Sequence, residues 1–235
     1  METKVISFGN HKGGVAKTTT TTNVGSILAS KGYKVLVIDL DAQANLTVSL
    51  LKEEPENSIY YALTGKASEL PIIPVTDNLS IVPASLQLAM AEMELTAAIS
   101  RERILAELLE KVKPGYDFIL IDCPPSLGLL TLNAFTASNE IIIPLVAEVL
   151  PFKGLTMIND FIKQVQHRLN REAHISGILL TRWEATKLTK EIESRLRNQL
   201  GNLVFDVKIR KNISLIPNVT DPRTTVHSPT NCLRV

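Results

Sequence analysis

The chain has 235 residues, 45% of them hydrophobic, and a formal net charge of +1. That is enough apolar material for one sizeable core, so a single domain over residues 1–235 is expected. No run of about 18 apolar residues occurs, so no membrane-spanning helix is expected, and the first strand follows directly on Met1-Glu2-Thr3, so no signal peptide is expected.

Cys123 and Cys232 are the only cysteines, too few for a disulfide framework or a metal cluster, and they fit a reducing cytoplasm. Charge is unevenly divided. Residues 1–150 hold 11 Lys+Arg against 17 Asp+Glu (−6), and residues 151–235 hold 14 against 7 (+7). Such an asymmetry marks either a face for an acidic partner such as nucleic acid or an ordinary solvated surface.

In chain order, Val5, Ile6 and Phe8 read as a short buried strand, and Val24, Ile27 and Leu28 recur at helical spacing. Between them lies Lys12-Gly13-Gly14-Val15-Ala16-Lys17-Thr18, followed by Thr19. A strand that breaks into glycines and re-forms as a helix aims free backbone N–H groups and the positive end of the helix dipole at one spot, which makes a phosphate cradle. Lys17 supplies a point charge for β- and γ-phosphates, and the Thr18 hydroxyl suits Mg²⁺. The plainer alternative is a glycine-rich turn that binds nothing. Ala16 stands where the general pattern G-x-x-x-x-G-K-[ST] has its last glycine, and its methyl group disfavours positive φ.

Alternation of strand and helix with short connections argues a mostly parallel α/β sheet covered on both faces. Lys34–Asp39 is a second strand, ending in Asp39-Leu40-Asp41 at the sheet edge where such folds bind ligands. These acids could also simply cap the next helix. Residues 52–78, broken by Pro55, Pro71 and Pro74, read as short helices and loops. Leu79–Val82 is a third strand, and residues 86–112 carry a helical apolar pattern that stops at Lys113-Pro114-Gly115. The fourth strand, Phe118-Ile119-Leu120-Ile121-Asp122, ends in a carboxylate placed to hold Mg²⁺ through water. Glu140–Pro144 is a fifth strand, Lys153–Asn170 an amphipathic helix and Ile175–Thr181 a sixth strand. A helix over Thr186–Leu200 sets Leu188, Ile192, Leu196 and Leu200 against a basic stripe of Lys187, Lys190 and Arg197, with Arg210 and Lys211 close behind. That stripe can neutralise phosphates without reading bases, or it is a solvated helix face.

Four motifs together resemble the ParA/MinD/Soj group of deviant P-loop ATPases. Lys12 to Thr18 matches K-G-G-x-G-K-T except at Ala16, and Asp39 to Asn45 matches D-x-D-P-Q-x-N with Ala42 in place of proline. Asp122 to Ser126 matches D-C-P-P-S, and the segment from Glu148 to Gly154 is similar to E-x-x-x-x-K-G. The resemblance implies a nucleotide-sandwich homodimer in which Lys12 reaches the partner subunit's ATP. It also implies that Asp41 positions the attacking water, that Asp39 lies in the magnesium shell, and that Thr181, Arg182, Ile209 and Arg210 flank the adenine. Cofactors would be ATP/ADP and Mg²⁺. Partners would be nonspecific double-stranded DNA, bound through Lys187, Lys190, Arg197, Arg210 and Lys211, and a ParB-like centromere-binding protein, which gives a nucleoid-associated role in plasmid or chromosome partition. Iron–sulfur relatives are disfavoured, since only Cys123 lies near the site.

Departures from the family pattern keep two rivals open: a MinD-like positioning ATPase, and a nucleotide-bound scaffold left nearly inert by Ala16. The P-R-N-x-R motif appears as Arg210-Lys211-Asn212-Ile213-Ser214, without its last arginine. The tail, with Asp221-Pro222-Arg223 and Ser228-Pro229, is expected to form neither the family's closing helix nor a basic amphipathic membrane tether.

Overall fold

The computed structural model describes residues 2–148 and 151–211. Asn212–Ser214, the tail from Thr220, Cys232, and Val149-Leu150 of the Glu148 loop lie outside the described residues.

Among the described residues eight strands form one sheet: β1 (Lys4–Phe8), β2 (Val35–Asp39), β3 (Ile73–Thr76), β4 (Leu79–Val82), β5 (Phe118–Asp122), β6 (Glu140–Val146), β7 (His174–Trp183) and β8 (Val204–Arg210), in the spatial order β3-β4-β2-β5-β1-β6-β7-β8. All neighbours run parallel except the edge pair β3 and β4. The helices are α1 (Lys17–Ser30), α2 (Asn45–Leu50), α3 (Ile59–Leu63), α4 (Leu88–Glu94), α5 (Ile104–Glu110), α6 (Leu129–Ala137), α7 (Pro151–Arg168) and α8 (Lys187–Leu200).

The unbroken apolar runs of the central strands are explained by burial on both faces. Along β2, Val35 and Val37 pack on the α1 side with Val24, Leu28 and Ala29, while Leu36 and Ile38 face the larger core built with α3 to α8. β5 splits in the same way, with Leu120 toward α1 and Ile119 and Ile121 toward the larger core. Gly25 brings α1 close to the sheet: a Cβ there would stand 2.8 Å from the Val37 side chain.

The expected α/β class and single sheet are what the structure contains, and several elements refine the expectation. The apolar pattern of residues 86–112 is not one helix. It breaks after α4 into a short turn at Leu95–Ala97, the backbone reverses through Ser100 at φ 51°, and α5 begins separately. Asn133 of α6 enforces the break by accepting from the Leu105 N–H (3.0 Å) and donating to the Arg101 carbonyl (2.8 Å). β3, expected as loop, is a strand that tolerates Pro74 because it lies at the sheet edge, where no second partner requires the missing N–H. α6 and β8 are additional elements, and β8 extends the sheet beside β7.

Candidate nucleotide site

Register brings the site together at the carboxyl edge of the sheet. Phe8 of β1 pairs with Asp122 of β5, and Asp122 pairs with Asp39 of β2, so both carboxylates sit level with the point where the chain leaves β1. Parallel sheets place ligands at this edge.

From Asn10 to Lys17 the chain forms a loop in which five carbonyl oxygens are claimed by donors of the protein itself. The Asn10 and Lys12 carbonyls accept from Lys17 Nζ (both 3.1 Å), the Gly14 carbonyl from Arg182 Nη1 (3.3 Å), the Val15 carbonyl from Thr181 Oγ1 (3.0 Å) and the Ala16 carbonyl from Thr20 N (3.0 Å) and Oγ1 (2.7 Å). Among the described residues no acceptor faces the backbone N–H groups of Gly13, Gly14, Val15, Ala16, Lys17, Thr18 or Thr19. Claimed carbonyls and unclaimed amides at the start of a 14-residue helix make an anion nest. Asn10, which carried no role in the sequence reading, fixes the loop's origin: its side chain donates to the Pro144 carbonyl of β6 (2.7 Å) and accepts from Lys12 N (3.1 Å).

Gly14 has φ 70°, and Ala16, immediately before α1, has φ 64° and ψ 33°. The loop therefore keeps its left-handed residue at position 16 without a glycine.

Lys17 is buried, and burial holds its pKa below the ordinary lysine value, with Asp122, Cys123 and Asp41 partly opposing the shift. Asp122 is 1% exposed, and among the described residues neither carboxylate oxygen has a hydrogen-bond partner. Burial pushes its pKa to about 8. The neighbouring Asp39 adds to the rise, and the Thr18 hydroxyl and Lys17 oppose it. A buried carboxylate without a bonded partner beside a threonine hydroxyl is an oxygen donor set that fits a hard divalent cation.

Asp39 is differently placed. It accepts from Asp41 N (3.1 Å), Thr47 N (2.9 Å) and Thr47 Oγ1 (2.8 Å), so it anchors the loop into α2, and burial raises its pKa to about 6 despite those bonds. Thr47 in turn accepts from Ala84 N (2.9 Å), which ties this loop to the end of β4. Asp41 accepts from Gln43 N (3.0 Å) through Oδ1, and its Oδ2 has no partner among the described residues. The helix-cap alternative thus describes Asp39, which takes the Thr47 amide in the first turn of α2, and not Asp41, whose partner Gln43 precedes the helix.

Lys12 is half exposed and ion-paired with Glu148 of its own chain. Thr181 is fully buried behind the loop with its hydroxyl committed to Val15, whereas Arg182 is exposed. Ile209 and Arg210 end β8 at the same edge, with Arg210 opposite Trp183. A cavity of about 590 Å³ opens between Lys12, Glu148, Arg182, Glu184, Leu188 and Lys211.

The five basic residues of the expected phosphate-tracking face divide. Lys187, Lys190 and Arg210 are exposed, and none has an ionic partner among the described residues. Lys211 pairs with Glu184 (2.8 Å). Arg197 is consumed by Glu193 (3.1 Å), Asp206 (3.1 Å) and the Val204 and Phe205 carbonyls (3.2 and 3.0 Å), so it holds α8 against β8. Leu188, expected in the core stripe, is 50% exposed, while Ile192 and Leu196 are buried.

A P-loop beside a buried acidic strand end on a mostly parallel sheet defines the class: a P-loop nucleotide-binding α/β protein. The AAA domain family matches residues 3–175. The chain is 42% identical over 217 residues to the sporulation initiation inhibitor protein Soj of Bacillus subtilis, covering 90% of this chain and 86% of that one. It is likewise 42% identical over 215 residues to the chromosome-partitioning ATPase Soj of Treponema pallidum, with coverage of 90% and 85%. A solved structure named as cobyrinic acid a,c-diamide synthase from Mycobacterium smegmatis, with bound ADP and magnesium, superposes with a TM-score of 0.84 at 34% identity, covering 89% of this chain and 87% of that one. The chain belongs to the ParA/Soj family of P-loop ATPases.

Proposed function

We propose that this protein is a ParA-type ATPase for plasmid or chromosome partition, hydrolysing ATP to ADP and phosphate with Mg²⁺ and dimerising on ATP. The observation that carries the reading is the loop whose Asn10, Lys12, Gly14, Val15 and Ala16 carbonyls are claimed by the protein's own donors while its amides are not, beside Lys17 and Asp122. Lys17, now donating to two loop carbonyls, is released to the β- and γ-phosphates, and the free amides of residues 13–19 take the phosphate oxygens. Thr18 and Asp122 would hold Mg²⁺, which neutralises phosphate charge when bound. Asp39 keeps the Asp41 loop in place, and Asp41, with one carboxylate oxygen free, orients the attacking water. The left-handed conformation that Ala16 already holds supports a working loop over an inert scaffold.

Lys12 gives the dimer its physical basis. Within one subunit it rests on Glu148, an exposed pair of the kind worth little in water, so it is easily surrendered to a phosphate across an interface. Exposed Lys187, Lys190 and Arg210 suit duplex DNA, which explains why binding should need two subunits: each alone offers few phosphate contacts. A ParB-like partner would stimulate hydrolysis. Steady-state phosphate release with and without Mg²⁺, together with sedimentation of the Asp41→Ala variant in ATP and in ADP, tests the reading. Turnover in the parent and an ATP-specific dimer in the variant are expected. No phosphate release at any magnesium concentration overturns it.

A further inference from the structure

We infer that Thr181 and Arg182, at the end of β7, are positioning residues that preset the phosphate-binding amides of the P-loop. They act from a strand on which the loop itself does not lie. The inference rests on the nucleotide reading of the site and names how that site is held ready.

In a planar trans peptide unit the C=O and the following N–H point in opposite directions. Fixing the Gly14 and Val15 carbonyls therefore fixes the amides of Val15 and Ala16 on the far side. Both carbonyls are fixed by consecutive residues of β7: Thr181 Oγ1 donates to the Val15 carbonyl at 3.0 Å and Arg182 Nη1 to the Gly14 carbonyl at 3.3 Å. The next carbonyl, that of Ala16, is held by Thr20 of α1. Three successive peptide units are thus oriented from two elements. Without those donors a loop with positive φ at Gly14 and Ala16 has other conformations open to it.

Two further features point the same way. Thr181 is fully buried, so its hydroxyl serves only an internal acceptor. Arg182 adopts φ 48°, a conformation that a long side chain takes at an energetic cost and that persists where surroundings impose it. Here that backbone sends the guanidinium back over the loop, within 4.0 Å of where a Cβ on Gly14 would stand. A strained, exposed arginine turned onto a glycine carbonyl is poorly explained by core packing and well explained by a clamp.

The test uses the full chain carrying Thr181→Val, Thr181→Ser, Arg182→Met or Arg182→Lys. Mg²⁺–ADP is titrated calorimetrically, and the backbone amide signals of Val15 and Ala16 are followed by NMR without nucleotide. Thr181→Val and Arg182→Met should each weaken ADP about tenfold and displace those two amide signals. Thr181→Ser, which keeps the donor, should bind within about twofold of the parent, and Arg182→Lys should fall between. A protein merely loosened overall would lose melting temperature without displacing those amides selectively. If Thr181→Val does not fold, Arg182→Met on the surface carries the test alone. Parent-like ADP affinity with undisplaced amides overturns the clamp. If the parent itself binds no ADP, the nucleotide reading fails, and the amide signals of the free variants still decide whether the clamp exists.

Discussion

Ala16→Gly isolates the one position where the loop departs from a glycine pattern. Ala16 sits at φ 64° and ψ 33°, so its strain belongs to the fold of the loop itself. A left-handed conformation costs an L-residue roughly 1–2 kcal/mol. Glycine removes that cost but frees the unfolded chain by about 0.4–1 kcal/mol. The difference leaves a net stabilisation on the order of 0.5–1 kcal/mol. For a chain of this size 1 kcal/mol shifts Tm by about 2–4 °C, so calorimetric melting should rise by about 1–4 °C. A loop that keeps this conformation on binding gives an affinity for Mg²⁺–ADP that moves by less than about twofold. A variant that melts lower, or that gains tenfold in affinity with no change in melting, refutes the reasoning. Either result would mean that the left-handed turn forms only when phosphate arrives.

Lys17→Ala should abolish binding of a fluorescent ATP analogue, since no other buried cation lies inside the loop; parent-like affinity removes the P-loop assignment. Asp41→Ala should keep ATP binding and lose turnover, and parent-rate phosphate release would reduce Asp41 to the turn it forms with Gln43. Asp122 and Asp39 have folded pKa values of about 8 and about 6, raised above their unfolded values, so the proton they hold stabilises the fold at low pH and that contribution is lost as pH rises. Denaturant unfolding of the nucleotide-free protein should therefore show stability falling from about pH 4 to about pH 8, with Asp39 contributing only up to about pH 6 and Asp122 carrying the stretch from 6 to 8, worth up to about 2.7 kcal/mol for two units at 1.36 kcal/mol each. Asp122→Asn should remove most of that slope, and a flat parent profile contradicts the burial argument. Lys187→Glu with Lys190→Glu should abolish ATP-dependent filter retention of duplex DNA at unchanged ATPase rate, with each lost phosphate contact reducing the log–log salt slope by about 0.9. Retention by the double variant equal to the parent assigns these lysines to solvent.

The central strands were legible because their signal is local. β4 and β5 have the expected bounds, since continuous apolar runs ending at turn residues or a carboxylate leave little freedom once both faces are covered. Elements fixed by distant partners were not legible. β3 contains Pro74 and exists because β4 returns beside it, and β8 carries Asp206, Lys208 and Arg210 because it lies at the opposite edge. The helical spacing of residues 86–112 is real, yet Asn133, 28 residues beyond Leu105, decides where it breaks.

The site divides along the same physical line. Lys17, Thr18 and Asp122 announce themselves, because charge and hydroxyl groups next to a glycine-rich turn have few uses besides phosphate and metal. What holds them ready is carried by ordinary side chains at long range. Asn10 reaches β6, Thr47 joins Asp39 to the end of β4, and Thr181 reaches a carbonyl 166 residues away in sequence. None of these has a spacing to recognise, since a hydrogen bond between strand ends depends on sheet order and register. The same limit separates Arg197 from Lys187 and Lys190. All three lie on the basic stripe of α8, but Glu193, Asp206 and two β8 carbonyls claim Arg197. A charge on a helix face is available to a partner only when no acceptor of its own fold lies within reach, and that is decided by what packs beside the helix.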